Sequence, residues 1–168
     1  MIVIVMGVSG VGKTTVGRML SEQTGWPFYD ADEFHSPENV EKMRSGVALT
    51  DADRWPWLDR LNALLRDADQ AGRSAVLACS ALKQEYRDRL ARDVKEIRWV
   101  HLEGSFELIK ARMDARKGHY MTAQLLQSQF SALEPPVGAL RVDVATDPAT
   151  MVRDILERLT AIHPRLPT

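Results

Sequence analysis

Residues 7–14 read Gly7-Val8-Ser9-Gly10-Val11-Gly12-Lys13-Thr14 and satisfy GxxxxGK(S/T), a phosphate-binding loop. Each residue type has a chemical reason. Glycines let successive backbone N–H groups turn toward phosphate oxygens, and the N-terminus of the helix that must follow adds positive potential. Lys13 reaches the β and γ phosphates of a nucleotide, the Thr14 hydroxyl suits Mg²⁺, and Thr15 belongs to the same nucleotide site.

Further groups could work beside this loop, each with a plainer reading. Asp30 and Asp32 stand two apart at the end of an apolar stretch. Paired carboxylates there suit phosphoryl transfer, one organising Mg²⁺ and the other accepting a hydrogen bond from an attacking hydroxyl, whereas Asp32 alone reads equally as a turn or helix cap. Arg54 sits at a helix start, where its charge opposes the dipole and an anionic ligand would explain it; Asp51 and Asp53 read as caps, and Trp55 and Trp57 as packing. Lys83 and Arg87 are four apart, on one helical face, and suit a carboxylate or phosphate as well as they suit solvent. Arg112 and Arg116, also four apart, either complement a helix C-terminus or deliver charge over a transferring phosphoryl group. His35 and His119 are possible donors to substrate or ordinary loop residues. Cys79 ends an apolar run and reads as a buried structural thiol.

The elements that must position these groups follow from periodicity. Short apolar runs at 2–6, 27–30, 74–79, 97–102 and 140–144 predict five strands. Between them the spacing predicts helices at 14–24, 37–46, 53–72, 83–93, 105–116, 122–133 and 147–162. This alternation predicts an α/β fold with a central five-stranded parallel sheet flanked by helices. The two helices between the second and third strands exceed what one crossover needs and mark a helical substrate-binding insertion, about 36–72. The polar run 116–120 predicts a lid, about 116–133, and the tail from 163 reads as frayed.

With 168 residues, 45 % of them hydrophobic, and a net charge of −1, the chain suits one domain over 1–168. No basic block points to nucleic acid or an anionic membrane, and the first apolar run is too short for a membrane span or signal peptide. A cytoplasmic location is expected. One cysteine rules out an intrachain disulfide, and no Cys/His spacing suggests zinc. A guanine-specifying NKxD element is missing, since Asn39 and Asn62 begin Asn-Val-Glu-Lys and Asn-Ala-Leu-Leu, which argues against a GTP switch.

Taken together, the blocks resemble the gluconokinases, small P-loop kinases related to shikimate and nucleoside-monophosphate kinases. The resemblance rests on GVSGVGKT, Asp30-x-Asp32-x-x-His35, 39–43 with Gly46, and Asp51-x-Asp53-Arg54-x-Pro56-Trp57-Leu58. It continues through 79–83, Tyr86-Arg87-Asp88, Arg112-x-x-x-Arg116-Lys117-Gly118-His119 and Ser128-Gln129-Phe130 before Leu133-Glu134. It implies ATP- and Mg²⁺-dependent phosphorylation of D-gluconate at its terminal hydroxyl, in sugar-acid catabolism, by a homodimer. By resemblance, Asp30 organises Mg²⁺ with Thr14 and Asp32 engages the acceptor, though the two roles are interchangeable. Asp32, His35, Arg54, Lys83, Arg87 and His119 form the acceptor site, Arg112 lies against adenine or phosphate, Arg116 covers the transferring phosphoryl, and Asp147 with Pro148 borders adenine. Tyr120 stands where Phe is common, and Cys79-Ser80 occupies the place of the usual Walker-B aspartate. Basic residues alone do not separate gluconate from shikimate or a nucleoside monophosphate.

Overall fold

A computed structural model describes residues 1–115 and 122–162; the lid positions 116–121, with Arg116 and His119, and the tail 163–168 lie outside the described residues. Strand β1, Ile2–Met6, is entirely apolar and buried along its whole length. It pairs in parallel with β3, Ala75–Ala78, on one edge and β4, Ile97–Glu103, on the other. β2, Phe28–Asp30, extends the sheet beyond β3, and β5, Leu140–Asp143, extends it beyond β4. The order is β2-β3-β1-β4-β5, every pair parallel, and the strands and α-helices described fall within two residues of their expected bounds.

Because side chains alternate along a strand, β1 supplies two cores at once. Val3 and Val5 join a cluster with Val16 and Leu20 of α1, Lys13–Thr24, and Val152 and Ile155 of α7, Pro148–Ile162. The same cluster holds Ile109 of α5, Phe106–Asp114, and Leu126 of α6, Ala123–Ala132. On the opposite face Ile2, Ile4 and Met6 pack with Leu58, Leu61 and Leu65 of α3, Asp51–Gln70, and Leu90 of α4, Gln84–Ala91. Each such burial contributes about 1.5–3 kcal/mol, so a polar change in β1 would cost both faces.

The strand order also sets where a ligand can enter. The connection leaving β1 runs to the β2 edge, and the one leaving β3 runs back past β1 to β4. A crevice therefore opens above the carboxyl ends of β1 and β3, with the backbone N–H of Gly7 donating to Ser80 O across it at 3.4 Å.

The insertion is organised by caps that a sequence reader can recognise. Ser36 caps α2, Pro37–Arg44, with Pro37 at its first turn. Thr50 and Asp53 form a capping box that starts α3 at Asp51, two residues before the expected start at 53. The two helices are tied by Lys42, whose ammonium lies 2.8 Å from the Asp53 carboxylate, and by Asn39 Nδ2, which donates to Asp53 O at 2.9 Å. That pairing, with Lys42 the largest cause, holds the Asp53 carboxyl down to about 2. A 3₁₀ turn, Ala31–Phe34, follows β2 and was not anticipated from periodicity, being too short to show any.

One buried polar residue locks α3 to α4. Asn62, 7 % exposed, donates from Nδ2 to Leu90 O at 2.9 Å and Arg92 O at 2.8 Å. Replacing it by alanine leaves both carbonyls unsatisfied. Asn62→Ala should therefore lose about 1–3 kcal/mol in urea denaturation, and an unchanged midpoint would mean these bonds contribute nothing.

Candidate active site

The phosphate loop leaves β1 with Gly7 at φ 144°, a conformation L side chains rarely adopt. A Cβ there would also lie 2.8 Å from Leu102 O, so the loop hugs β4 only because position 7 is glycine. Helix α1 starts at Gly12, φ 104°, without a side-chain cap, whereas α2, α3, α5 and α6 all have one. The first bond of α1 runs from Val16 N–H to Gly12 O at 3.0 Å. The N–H groups of Gly12, Lys13, Thr14 and Thr15 thus lack an intrahelical acceptor, as an anion site requires.

Beside this terminus stand the two carboxylates, and their environments differ. Thr14 Oγ1 donates to Asp30 Oδ2 at 2.7 Å, and the Asp32 N–H donates to Asp30 Oδ1 at 3.1 Å. Asp30 is therefore occupied on both oxygens and caps the 3₁₀ turn. No described donor bonds the Asp32 carboxylate. The residue is exposed, yet desolvation of its carboxyl, then the charge of Asp30, raises its pKa above the ordinary value, against the pull of Lys13. Lys13 is half-buried, and burial lowers its pKa although Asp32 and Asp30 oppose the shift. Its Nζ donates to Val8 O at 2.9 Å.

The turn after β2 is held from α3. Trp57, 2 % exposed, donates from Nε1 to Ala31 O at 2.7 Å, and Arg60 donates to Phe34 O at 3.2 and 2.8 Å. The ring of His35 stacks on Trp57, centroids 4.2 Å apart and planes inclined by 15°. Burial, then Arg54 and Arg60, pushes its pKa down to about 4, so His35 is neutral near pH 7 and presents a hydrogen-bonding imidazole rather than a charge. Trp57 was expected only to pack, and Arg60 was missed, since a contact 26 residues distant leaves no local pattern.

The cations expected to bind an acid do not share one fate. Arg54 lies in the first turn of α3, its guanidinium 5.5 Å from the Tyr86 ring, and no described side chain accepts a hydrogen bond from it. Its charge is felt at His35 and at Cys79, which also feels Asp32 and Lys13, so these groups surround the end of β3. Lys83 is already paired with Asp51 at 3.0 Å, and Tyr86 Oη donates to the same carboxylate. Arg87 is a correction. It is 3 % exposed, and all five of its N–H groups are used, on Ala81 O, Leu82 O, Glu134 O and, twice, Gln84 Oε1. Its guanidinium has no donor left for a ligand; it staples the turn after β3, where Ala81 holds φ 44°, to the connector at Glu134. Helical spacing put Lys83 and Arg87 on one face, but Lys83 is the N-cap of α4, in extended backbone, and its side chain turns to Asp51 while that of Arg87 turns to the carbonyls of Ala81, Leu82 and Glu134.

Cys79 is a buried thiol, pushed up to about 12 chiefly by desolvation, in keeping with a structural reading. Arg112 donates to Val144 O at 2.5 Å, fastening the end of α5 to the loop after β5. The Asp147 carboxylate accepts from Thr150 N–H at 3.0 Å and Thr150 Oγ1 at 2.7 Å, capping α7 ahead of Pro148. Two residues without an assigned role also reach the site. Gln129 of α6 bonds Ser9 in the phosphate loop, and Glu134 Oε2 accepts from Gln84 N–H at 2.6 Å, capping α4 from a distance. Both stand in blocks singled out from the sequence, yet their partners lie far away in the chain.

Among the described residues no three His, Cys, Asp or Glu side chains cluster as a metal site. The neighbouring oxygens of Thr14 and Asp30 nonetheless fit Mg²⁺, a hard cation that commonly takes one or two protein ligands and completes its shell with phosphate and water.

Asp32 carries a stability consequence. Its folded pKa lies above the ordinary 3.8, so the ionised carboxylate costs stability at neutral pH, and protonation relieves that cost as pH falls. Asp32→Asn should raise the melting temperature at pH 7 while impairing catalysis, and the gain should shrink as pH is lowered toward 3.8. A variant no more stable than wild type at neutral pH would contradict the strained carboxylate.

Comparisons with known proteins agree with this geometry. A family model described as an AAA domain matches residues 2–136. A probable gluconokinase of Rattus norvegicus is 50% identical over 153 residues, covering 80% of this chain and 83% of its own. The gluconokinase of Gluconobacter oxydans (strain 621H) is 44% identical over 161 residues, covering 94% and 90%. The crystal structure of a gluconokinase from Sinorhizobium meliloti 1021 superposes with a TM-score of 0.87 at 42% identity, covering 95% of this chain and 91% of that one. The fold is that of the α/β P-loop kinases, and with such identity over most of its length the chain belongs to the gluconokinase family.

Proposed function

We propose that this protein transfers the γ-phosphoryl group of ATP to the terminal hydroxyl of D-gluconate, giving 6-phospho-D-gluconate and ADP, a step of sugar-acid catabolism. The observation that carries this reading is one crevice holding an uncapped helix N-terminus, two carboxylates of unlike surroundings and a guanidinium that no described side chain engages. The acceptor is carried by relatives named gluconokinases.

The chemistry is mainly positioning and charge neutralisation. The free N–H groups of residues 12–15 and Lys13 hold the nucleotide phosphates. Thr14 and Asp30 would hold Mg²⁺, which when bound draws charge from the phosphate oxygens. Asp30 is engaged by Thr14 and the Asp32 N–H, while Asp32 has an open carboxylate with raised proton affinity; this favours Asp32 as the group that orients the acceptor hydroxyl and takes its proton. The hydroxyl oxygen bonds to the γ-phosphorus as the bond to the β–γ bridging oxygen breaks, and ADP leaves. Arg54 anchors the gluconate carboxylate, and neutral His35 hydrogen-bonds a substrate hydroxyl. Lys83, neutralised by Asp51, contributes less to anion binding, and Arg87 acts only by holding the turn that carries Lys83. By family resemblance Arg112 lies against adenine or phosphate, Asp147 and Pro148 border adenine, Arg116 covers the transferring phosphoryl and His119 belongs to the acceptor site.

We take the chain as one kinase domain over 1–168, with the acceptor insertion at about 36–72 and the lid at about 116–133, working as a homodimer in the cytoplasm. No described helix is long and apolar enough to cross a membrane. Light scattering tests the dimer.

A coupled ADP-release assay across D-gluconate, other aldonates, shikimate and nucleoside monophosphates tests the acceptor. Gluconate should turn over fastest, and turnover of another acceptor without gluconate turnover would overturn the assignment. For Arg54→Ala the expected result is a gluconate KM raised about 10- to 100-fold, the range for one lost charged hydrogen bond, with ATP KM little changed. An unchanged gluconate KM would remove Arg54 from the acid site.

A further inference from the structure

The Val8–Ser9 peptide is gripped on both sides. Its carbonyl oxygen, Val8 O, accepts from Lys13 Nζ at 2.9 Å. Its N–H, on Ser9, donates to Gln129 Oε1 at 2.7 Å, and Gln129 Nε2 donates to Ser9 Oγ at 3.1 Å. We propose that Gln129 is a positioning residue for phosphoryl transfer, which aims the Lys13 ammonium by fixing the orientation of the Val8–Ser9 peptide.

The physical basis is the planarity of the peptide bond. In a trans peptide the C=O and N–H point in opposite directions and turn together, so a bond that fixes one fixes the other. If the Ser9 N–H swings away from Gln129, Val8 O swings away from Lys13. Glycines flank this peptide at positions 7 and 10, both at positive φ, so the torsions beside it are permissive; the buried Val8 side chain and a long bond from Val11 N–H to Val8 O, 3.4 Å, hold only its carbonyl side. The side-chain amide supplies an acceptor for the N–H and a donor for the hydroxyl of the same residue, a two-point grip that neither a carboxylate nor an ammonium reproduces in full. Gln129 is itself held firmly. Leu126, one turn earlier on α6, is fully buried in the core, and Phe130 packs edge-on against Phe106 of α5 with ring centroids 5.7 Å apart. Packed on the core through Leu126, α6 thus reaches across 120 residues of sequence to the phosphate loop, and it forms the base of the lid proposed over 116–133.

The consequence falls on rate. Lys13 is half-buried and its charge is disfavoured by desolvation, so its placement depends on the few oxygens that face it. Misplacement of a catalytic group by an ångström can cost about 100-fold. The proposal rests on the nucleotide-loop reading above, but not on the identity of the acceptor.

The test uses Gln129→Ala and the near-isosteric Gln129→Met, which keeps the length of the side chain should alanine disturb α6. Both should fold as wild type by circular dichroism, with kcat lowered about 10- to 100-fold and gluconate KM within about twofold of wild type. Affinity for the β,γ-imido analogue of ATP with Mg²⁺, measured by calorimetry without acceptor, should weaken several-fold on Gln129→Met. The same substitution in a Lys13→Ala background should weaken it no further. Equal weakening in both backgrounds, or a folded Gln129→Met enzyme with wild-type kcat, would overturn the proposal. A wild-type protein that fails to bind the analogue would overturn the nucleotide reading and this one with it, whereas binding without gluconate turnover would overturn only the acceptor.

Discussion

Everything chemical in this protein hangs from the carboxyl end of β1. That strand is paired along both edges and buried on both faces, so Val5 is placed by two ladders and the last residue, Met6, by the β4 ladder and a core. The phosphate loop that follows is anchored through Val8 and Val11, whose side chains are buried in the same core as Val3 and Val5. Gly7 passes close to Leu102 O, Gly12 begins α1 without a cap, and the rigid strand and helix on either side supply the precision that glycine removes.

A second constraint is that the acceptor side is built from distant pieces. The turn after β2 brings Asp32 and His35 beside the loop, yet on its own it is a short 3₁₀ segment. Trp57 and Arg60 of α3 hold its carbonyls, and the Trp57 indole supports the His35 ring. Burial of that indole in the core therefore converts apolar packing into alignment of a polar site. Asn39 and Lys42 tie α2 to Asp53 in the first turn of α3, joining the two helices of the insertion at that end.

Charge is distributed with the same economy. Of the cations expected to bind an acid, Arg87 is consumed by three backbone carbonyls and Gln84, Lys83 is neutralised by Asp51, and Arg54 keeps its hydrogen-bonding capacity. The pair of aspartates shows a similar division. One oxygen set is tied to Thr14 and a backbone N–H, and the other remains open at the cost of a raised pKa. A site in which every polar group was satisfied would be more stable and unable to bind.

What was legible in the sequence was whatever local spacing encodes. Strand and helix periods and the GxxxxGK(S/T) octet act over a few residues, and each strand and α-helix sits within two residues of where pattern puts it. The sequence alone also carried the α/β class, the nucleotide loop and the list of charged candidates. Only the tertiary structure decided which candidate keeps a free donor. Arg87 and Arg54 are alike as letters, but Arg87 meets the carbonyls of Ala81, Leu82 and Glu134 while Arg54 meets a tyrosine face. Gln129 was a polar letter on a helix until folding set its amide against Ser9. Hydrogen bonds between distant segments depend on where the packed core puts each backbone, and no local period records that.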